Sequence, residues 1–301
     1  MTLPPQPQIP PEGPTGQIEQ IEPLVARVLA PNPSPFTYTG TQTYLVGTDE
    51  GLAVIDPGPD DPDHLAALTA AIAGRPVLAI MCTHTHRDHS PAAAPLAALT
   101  GAPVIGCAAL HIVSDAPRVD APFDKAYRPD RVLADGEQVA GPGWTITAVA
   151  TPGHTSNHLC FALEEAGALF TGDHVMGWST SVVVPPDGDM GDYLASLMKL
   201  HEREDRVYYP AHGPAVDNPR QLVRGMVGHR RAREKQILRL LEDVASGQGL
   251  AIRAMVPVMY KGVPEFLWPA AAQSVHAHLI ELARRGSVVE QGESWSLIAA
   301  D

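Results

Sequence analysis

A chain of 301 residues and 32.0 kDa is long enough for one large α/β domain with an appendage, or for two domains. Hydrophobic residues make up 45% of it and charged residues 18%, so the chain can bury a sizeable core and is not of low complexity. Acidic residues outnumber Lys and Arg by 34 to 21, and the formal charge of -13 gives the whole molecule no attraction to nucleic acid or an anionic membrane.

The compartment is predicted from the cysteines and from the apolar segments. Cys82, Cys107 and Cys160 are widely spaced and form no C-x-x-C pair, which is typical of thiols in a reducing compartment. The first residues show no basic segment followed by an apolar run, so we predict no secretory signal peptide. No stretch approaches the roughly 18 unbroken apolar residues of a membrane helix. We therefore expect a cytoplasmic protein without a membrane partner.

The first part of the chain is predicted to be a proline-rich arm followed by an α/β domain. Residues 1–16 contain six prolines, which favour an extended, polyproline-like arm. Residues 17–216 then alternate between patterns typical of strands and of helices. The predicted strands are 43–46, 52–55, 76–82, 104–107, 144–151, 159–163, 168–171 and 207–209, and the predicted helices are 62–73 and 92–100.

Residues 217–301 have a different pattern and are predicted to form a separate module. Three helix patterns cover residues 221–244, 251–260 and 267–284. A β-like pair follows at 287–290 and 295–299 and turns at Gly292. Three helices and a terminal hairpin predict a winged-helix-like module.

A dense run of polar side chains follows the apolar strand 76–82. The run Thr83-His84-Thr85-His86-Arg87-Asp88-His89 contains three imidazoles and a carboxylate. Imidazole and carboxylate groups are ligands that zinc, iron and manganese accept. An extended loop can turn alternate side chains toward one ion while the next two reach a second. The run therefore predicts a metal site.

Three further positions follow strands and lie beside glycine. They are His154 in TPGHT, Asp173 in TGDH and His212 in PAHG. The glycines permit tight turns that aim these side chains back at a common point. With the run, they make seven candidate ligands from four strand ends, a number that suits two ions better than one.

This set resembles the H-x-H-x-D-H motif, later His, Asp and final His of the metallo-β-lactamase fold superfamily, with no ligand missing. The resemblance covers roughly residues 36–216 and implies an αββα sandwich. It assigns the ligands as follows: His84, His86 and His154 to the first ion, Asp88, His89 and His212 to the second, and Asp173 to both.

Finer matches resemble the lactamase-beta-like protein 2 group. They are HRDHS at 86–90, TPGHTSNH at 151–158, YPAHGP at 209–214 and HR-x-x-RE at 229–234. The human member of that group is a single-strand endoribonuclease, the group carries a C-terminal winged-helix-like region, and similar enzymes are thioesterases on carrier-bound polyketides. This chain has Gln42 where the group would have Asn.

Two divalent ions at such a site can share a water molecule, lower its pKa toward neutrality and polarise the bond that it attacks. The expected reaction is hydrolysis of a carbonyl or phosphoryl bond by a metal-bridging hydroxide. Asp88 is the candidate catalytic residue, because a carboxylate there can orient the hydroxide and accept its proton. His174, next to Asp173, is expected to point away from the ions.

Three more residues are candidates for supporting roles. Asp56 either accepts a hydrogen bond from a metal-bound imidazole or only forms a turn. His158 either contacts substrate or makes a structural hydrogen bond. Trp178, in the loop 177–191, either walls the substrate cleft or packs under the C-terminal module.

The substrate class is left open between alternatives. The first is a metallo-hydrolase of esters, thioesters or lactones, acting on a small-molecule or acyl-carrier substrate with zinc, or with iron or manganese. The second is a single-strand endoribonuclease or phosphodiesterase that binds single-stranded RNA. A β-lactamase, which normally needs an export signal, and a non-enzymatic nucleic-acid-binding protein are weaker alternatives.

One helix bears on the RNA alternative. It carries seven basic residues, Arg220, Arg224, Arg230, Arg231, Arg233, Lys235 and Arg239. They could follow a phosphate backbone. Their spacing around the helix circumference also fits a solvated, salt-bridged helix without a binding stripe.

Overall fold

The structure is a computed structural model that describes residues 14–110, 122–244 and 248–298. Most of the predicted proline-rich arm, residues 1–13, and the last residue of the predicted terminal strand lie outside these ranges. Among the described residues, no helix is both long enough and apolar enough to cross a membrane.

The first sheet has seven strands in chain order, β1 to β7. They are Ile18–Glu22, Val25–Leu29, Gln42–Thr48, Gly51–Ile55, Val77–Cys82, Val104–Gly106 and Arg131–Val132. Strands β1 to β4 are antiparallel, and β4 to β7 are parallel neighbours. Helices α1 (Pro62–Ile72) and α2 (Ala93–Thr100) make the crossovers on either side of β5, as parallel neighbours require.

The second sheet has five strands in the order β12-β11-β10-β9-β8. Their bounds are Gln138–Gly141 (β8), Trp144–Ala150 (β9), Leu159–Leu163 (β10), Ala168–Gly172 (β11) and Val207–Pro210 (β12). Strands β8 to β11 are antiparallel, whereas β11 and β12 are parallel and are connected through helix α3 (Met190–His201).

The C-terminal region begins with the 24-residue helix α4 (Pro219–Glu242). It continues with α5 (Ile252–Met259), α6 (Trp268–Arg284) and a small sheet of β13 (Leu250–Ala251), β14 (Val288–Gln291) and β15 (Ser294–Leu297). Residues such as Ile237, Val275 and Trp295 form its own buried core. The predicted helices and hairpin are therefore present.

Both faces of the second sheet are buried, which explains the layered architecture. In β10, Phe161 and Leu163 join the core shared with the first sheet, while Cys160 and Ala162 join the core under α3 and α4. Successive side chains of a strand point to opposite faces, so an unbroken apolar strand needs a cover on each side. The sheets thus face each other with helices outside, in the predicted αββα order.

Several elements were not expected from the sequence. Strand β1 is short, polar and largely exposed, so its residues carry little hydrophobic signal. Helix α3 was missed although Tyr193, Leu197 and Leu200 are buried at helical spacing and the Asp189 side chain caps its first turn. The division of the chain at residues 216 and 217 stays a prediction.

Candidate metal centre

Five strands end at the edge of the molecule where the polar side chains collect. In the first sheet, Asp56 follows β4, and the His84 to His89 run begins two residues after β5. In the second sheet, His154, Asp173 and His212 follow β9, β11 and β12. The carboxyl ends of parallel strands meet at one edge of a sheet, so the fold brings these residues together from distant parts of the chain.

The structure places all seven predicted ligands in two adjacent sets. Within each set, one potential ligand atom from every member lies within 4.8 Å of the others. The first set consists of His84, His86, His154 and Asp173, and the second consists of Asp88, His89 and His212. This division is the one that the family resemblance implies, with Asp173 grouped with the first set.

The Asp173 carboxylate faces both sets. Its Oδ2 lies 3.6 Å from Nε2 of His154 and 3.9 Å from Nε2 of His84, whereas its Oδ1 lies 3.2 Å from Nε2 of His212. A carboxylate has two oxygens with free lone pairs, so one group in this position can ligate two ions. The geometry fits the predicted shared role.

The nitrogen and oxygen atoms of the two sets face one another in a way that a bound cation explains better than hydrogen bonds among them do. Nδ1 of His86 lies 3.0 Å from Nε2 of His84 and 3.1 Å from Nε2 of His154. Asp88 Oδ1, His89 Nε2 and Asp173 Oδ1 are buried and have no hydrogen-bond partner in the described part of the chain. Buried polar atoms are normally satisfied, so convergent orphan acceptors indicate a cation site.

Backbone carbonyls fix the tautomers of two of the imidazoles. Nδ1 of His154 donates to the Val182 carbonyl at 2.6 Å, and Nδ1 of His212 donates to the Gly40 carbonyl at 3.2 Å. A carbonyl can only accept, so each Nδ1 carries the proton and each Nε2 keeps a lone pair for a metal. Sequence reasoning missed Val182 and Gly40 because their contribution is a main-chain atom.

Asp56 lies directly behind the second set. Its Oδ2 accepts a hydrogen bond from Nδ1 of His89 at 3.0 Å, and its two oxygens also accept from the amide and hydroxyl of Thr83, each at 2.7 Å. The backbone of Asp56 is left-handed, with φ of 48°, a conformation that costs about 1 kcal/mol or more for a non-glycine residue. Of its two predicted roles, the structure shows the hydrogen bond to an imidazole.

We expect Asp56→Asn to weaken binding of the ion held by His89 by about 10- to 100-fold, because the amide removes charge and one acceptor behind that imidazole. Competition with a chromophoric chelator measures this affinity. Asp61→Asn is the matched control, since Asp61 also accepts two hydrogen bonds, from the amides of Asp63 and His64, at the start of α1. Equal losses in both variants would contradict the role of Asp56.

The electrostatics of the centre keep its carboxylates ionised. Burial alone raises the pKa of Asp173, but His212 and His89 reverse this and hold it well below the ordinary value. His89 and His212 likewise hold the pKa of Asp88 well below its ordinary value, although burial alone raises it. Burial and the neighbouring imidazoles also lower the pKa of His84, which keeps it neutral and able to bind a metal.

His158 makes structural hydrogen bonds. Its Nε2 accepts from the Asp173 amide at 3.3 Å, and its Nδ1 therefore donates to the Thr151 hydroxyl at 2.8 Å. Both nitrogens are occupied, which favours the structural alternative over a direct contact with substrate. His174 lies outside both ligand sets, and its ring packs 4.7 Å from that of Tyr193.

Trp178 and Gln42 lie beside the His212 loop. The Trp178 ring stacks on Tyr38 at 4.9 Å and occupies the space that a Cβ on Gly213 would enter. This position, next to a candidate ligand, favours the wall of the cleft over packing under the C-terminal module. Gln42 is buried, and its amide nitrogen donates to the Gly213 carbonyl at 2.6 Å, so its contacts are structural.

Comparisons with known proteins agree with this architecture. A model of the metallo-beta-lactamase superfamily matches residues 37–212, and a model of the beta-lactamase associated winged helix domain matches residues 251–295. The Drosophila melanogaster beta-lactamase-like protein 2 homolog is 33% identical over 270 residues, which are 88% of this chain and 89% of that protein. The atrochrysone carboxyl ACP thioesterase dmxR1 of Cryptosporiopsis sp. (strain 8999) is 35% identical over 251 residues, 83% of this chain and 71% of its own.

Two solved structures extend the comparison. A beta-lactamase domain protein from Burkholderia ambifaria matches with a TM-score of 0.77 at 19% identity, over 95% of this chain and 94% of that one, and shows the fold alone. TTHA1623 in a di-iron-bound form matches with a TM-score of 0.50 at 29% identity, over 65% of this chain and 96% of its own.

The fold and the two ligand sets define a metal-dependent hydrolase with a site consistent with two ions. The chain belongs to the metallo-beta-lactamase superfamily and carries the associated winged helix domain. The predicted fold class and family are therefore confirmed.

Proposed function

We propose that this chain hydrolyses acyl thioesters, with a carrier-bound acyl group as the substrate class. The observation that carries the proposal is the 35% identity to an ACP thioesterase over 83% of the chain, together with two complete ligand sets. Esters and lactones are hydrolysed by the same kind of attack on a carbonyl and remain within the proposal.

The proposed ligands are those of the two sets, with Asp173 contacting both ions. Two divalent ions held by these residues would supply a water molecule of lowered pKa and would polarise the carbonyl of the substrate. Zinc is the proposed metal. Iron and manganese accept similar ligands, and the similarity to a protein in a di-iron-bound form supports iron as the second candidate.

The chain's own residues orient the reactants and move the proton. We assign to Asp88 the role of orienting the attacking water and accepting its proton, because its Oδ1 is buried and has no partner among the described residues. Nε2 of His212 lies 3.2 Å from the other oxygen of Asp88, so the two groups are placed to hold the same ion. Asp56 orients the His89 imidazole by accepting a hydrogen bond from its Nδ1.

Aromatic side chains around the centre support an apolar acyl group as substrate. The Phe123 ring stacks on His86 at 4.8 Å, and Trp178 stacks on Tyr38 beside the His212 loop. Aromatic rings in these positions exclude water and pack against apolar chains. We propose that they line the acyl subsite.

The burial pattern of α4 divides its seven basic residues into two groups. Arg230 and Arg233 point into the protein and are only 3% and 7% exposed. The five remaining basic residues are exposed and, at 3.6 residues per turn, lie within about 100° of one another on one face of the helix: Arg220, Arg224, Arg231, Lys235 and Arg239. A surface that follows a phosphate backbone needs its cations on one accessible face, so this face supports the endoribonuclease or phosphodiesterase as the second candidate function.

The proposal is tested with metal-analysed protein on two substrates in parallel, a short acyl-pantetheine thioester and a chromogenic bis-phosphodiester. We expect thioester turnover that Asp173→Asn abolishes, with little turnover of the phosphodiester. Metal-dependent phosphodiester cleavage without thioester hydrolysis would overturn the proposal and favour the endoribonuclease alternative.

We also propose a cytoplasmic location. Cys82, Cys107 and Cys160 are free thiols in the structure, and all three are buried. Burial raises the pKa of each thiol, which keeps it protonated and unreactive. Retention of three reduced thiols in protein isolated under thiol-trapping conditions is the expected result.

A further inference from the structure

Arg230 is a buried cation whose purpose is not explained by the site described above. It belongs to α4, in the C-terminal region, and is 3% exposed. Among the described residues, its buried Nε has no hydrogen-bond partner and no carboxylate lies within ion-pair distance of its guanidinium. Burying a charge without a counter-charge is costly, so the contacts that it makes instead are informative.

The Arg230 guanidinium contacts one backbone carbonyl and one aromatic ring. Its Nη2 donates a hydrogen bond to the carbonyl of Ser181. Its central carbon lies 5.0 Å from the ring centroid of Tyr193, within the range of a cation–π contact. Both contacts are to residues within the stretch that the metallo-beta-lactamase model matches, so Arg230 connects α4 to the segment that follows Asp173.

That segment touches two candidate ligands of the first set. The Ser181 hydroxyl donates to the Asp173 carbonyl and also lies 2.9 Å from the carbonyl of His174. The next residue, Val182, accepts the Nδ1 proton of His154 at 2.6 Å. Ser181 and Val182 therefore position one ligand through its main chain and another through its imidazole.

Tyr193 also supports the backbone next to Asp173, through contacts with His174. Its hydroxyl donates to the His174 carbonyl at 3.0 Å, and its ring packs against the His174 ring. Arg230 lies over this ring while it holds Ser181. The guanidinium thus contacts both residues whose side chains support the backbone at Asp173 and His174: Ser181 through its carbonyl and Tyr193 through its ring.

We propose that Arg230 is a positioning residue that sets the geometry of His154 and Asp173, and with it the affinity for the ion of the first set. It does so through Ser181 and Val182 and makes no contact with substrate. The inference rests on the metal ligands of the proposed function and is independent of its substrate. It gives the C-terminal region a role in metal binding.

The chemistry of arginine suits this role better than that of lysine. A guanidinium is planar, so one face can lie on the Tyr193 ring while an edge N–H reaches the Ser181 carbonyl. A lysine ammonium is a point charge that makes one of these contacts at a time. Arg230→Lys is therefore expected to bind the ion of the first set more weakly than wild type does but more tightly than Arg230→Met does.

Arg233 provides a matched control on the same helix. It is 7% exposed, its Nη1 donates to the Met259 carbonyl, and its central carbon lies 4.2 Å from the ring centroid of Tyr260. It makes the same two kinds of contact as Arg230 and also donates to Oε1 of Gln236 at 2.9 Å, all within the C-terminal region and away from Ser181. Arg233→Met thus removes an equivalent buried cation without touching the metal centre.

The experiment measures metal affinity of the whole chain by chelator competition, with no substrate present. We expect Arg230→Met to weaken binding of one of the two ions by about 10- to 100-fold, as losses behind a ligand typically do. Arg233→Met is expected to leave both affinities within about 2-fold while lowering the unfolding temperature. Ser181→Ala should weaken binding of the same ion. The double variant Arg230→Met/Ser181→Ala should lose less binding free energy than the two single variants added together.

A second readout reports on the imidazole directly. In metal-free protein with ¹⁵N-labelled histidine, we expect wild type to show His154 as the Nδ1–H tautomer and Arg230→Met to show a mixture. Should Arg230→Met fail to fold, Arg230→Lys and Ser181→Ala carry the same measurements.

Unchanged metal affinity in Arg230→Met, or an equal loss in Arg233→Met, would overturn the inference. Protein that binds two ions but does not hydrolyse the thioester would contradict the proposed substrate class alone. The effect of Arg230→Met on metal affinity would still decide the inference about Arg230. Wild-type protein that binds fewer than two ions would contradict the proposed function and this inference together.

Discussion

Asp173→Asn is expected to lower kcat/KM on any substrate of the wild-type enzyme by about 1,000-fold or more, since one carboxylate faces both ligand sets. Its Oδ1 lies 3.2 Å from Nε2 of His212 and its Oδ2 lies 3.6 Å from Nε2 of His154. Asparagine keeps the shape but loses the charge and one oxygen acceptor, so both ions should bind more weakly and fewer than two per chain should remain. Metal analysis and steady-state kinetics on the same sample measure both effects.

Asp187→Asn is the control for this substitution. Asp187 lies in the same connecting segment, and its carboxylate accepts a hydrogen bond from the Ser156 hydroxyl at 2.6 Å outside both ligand sets. We expect it to retain two ions and nearly full activity. An Asp173→Asn variant that kept two ions and wild-type turnover would show that Asp173 is not a ligand.

The second large effect is expected for Asp88→Asn, which removes a ligand of the second ion and the proposed proton acceptor together. Loss of general base catalysis alone typically lowers the rate by about 100- to 10,000-fold. Because the first set does not include Asp88, about one ion per chain should remain. Unchanged affinity for that remaining ion distinguishes Asp88→Asn from Asp173→Asn, which is expected to weaken the binding of both ions.

Asp124→Asn tests whether any carboxylate near this loop has the same effect. Asp124 accepts a hydrogen bond from the Ser90 hydroxyl at 3.0 Å but belongs to neither set. We expect kcat within a few-fold of wild type for this variant. If Asp88→Asn lost both ions, or none, the division of ligands between the two sets would be wrong.

The ligand set was predictable because its signal is local. Each candidate follows a hydrophobic strand, and strand ends of this kind meet at one sheet edge in an α/β fold. Imidazole and carboxylate groups are common metal ligands, so their concentration at these strand ends predicted a metal site. The strands themselves were predictable where both faces are buried, as in β10, and not where they are polar and exposed, as in β1.

The supports behind the ligands were not predictable in the same way. The carbonyls of Gly40 and Val182, which fix the His212 and His154 tautomers, are main-chain atoms that no residue pattern encodes. Arg230 reaches Ser181 across 49 residues of chain. A charged helical residue is expected at the surface, and only the packed structure shows that its guanidinium lies over Tyr193.

We propose that the two adjacent ligand sets hold two ions. Anomalous diffraction from metal-loaded crystals, recorded at the absorption edge of the bound metal, tests it most directly. We predict two peaks per chain, one beside His84, His86 and His154 and the other beside Asp88, His89 and His212, with Asp173 in contact with both. A single peak, or peaks away from these side chains, would contradict the account.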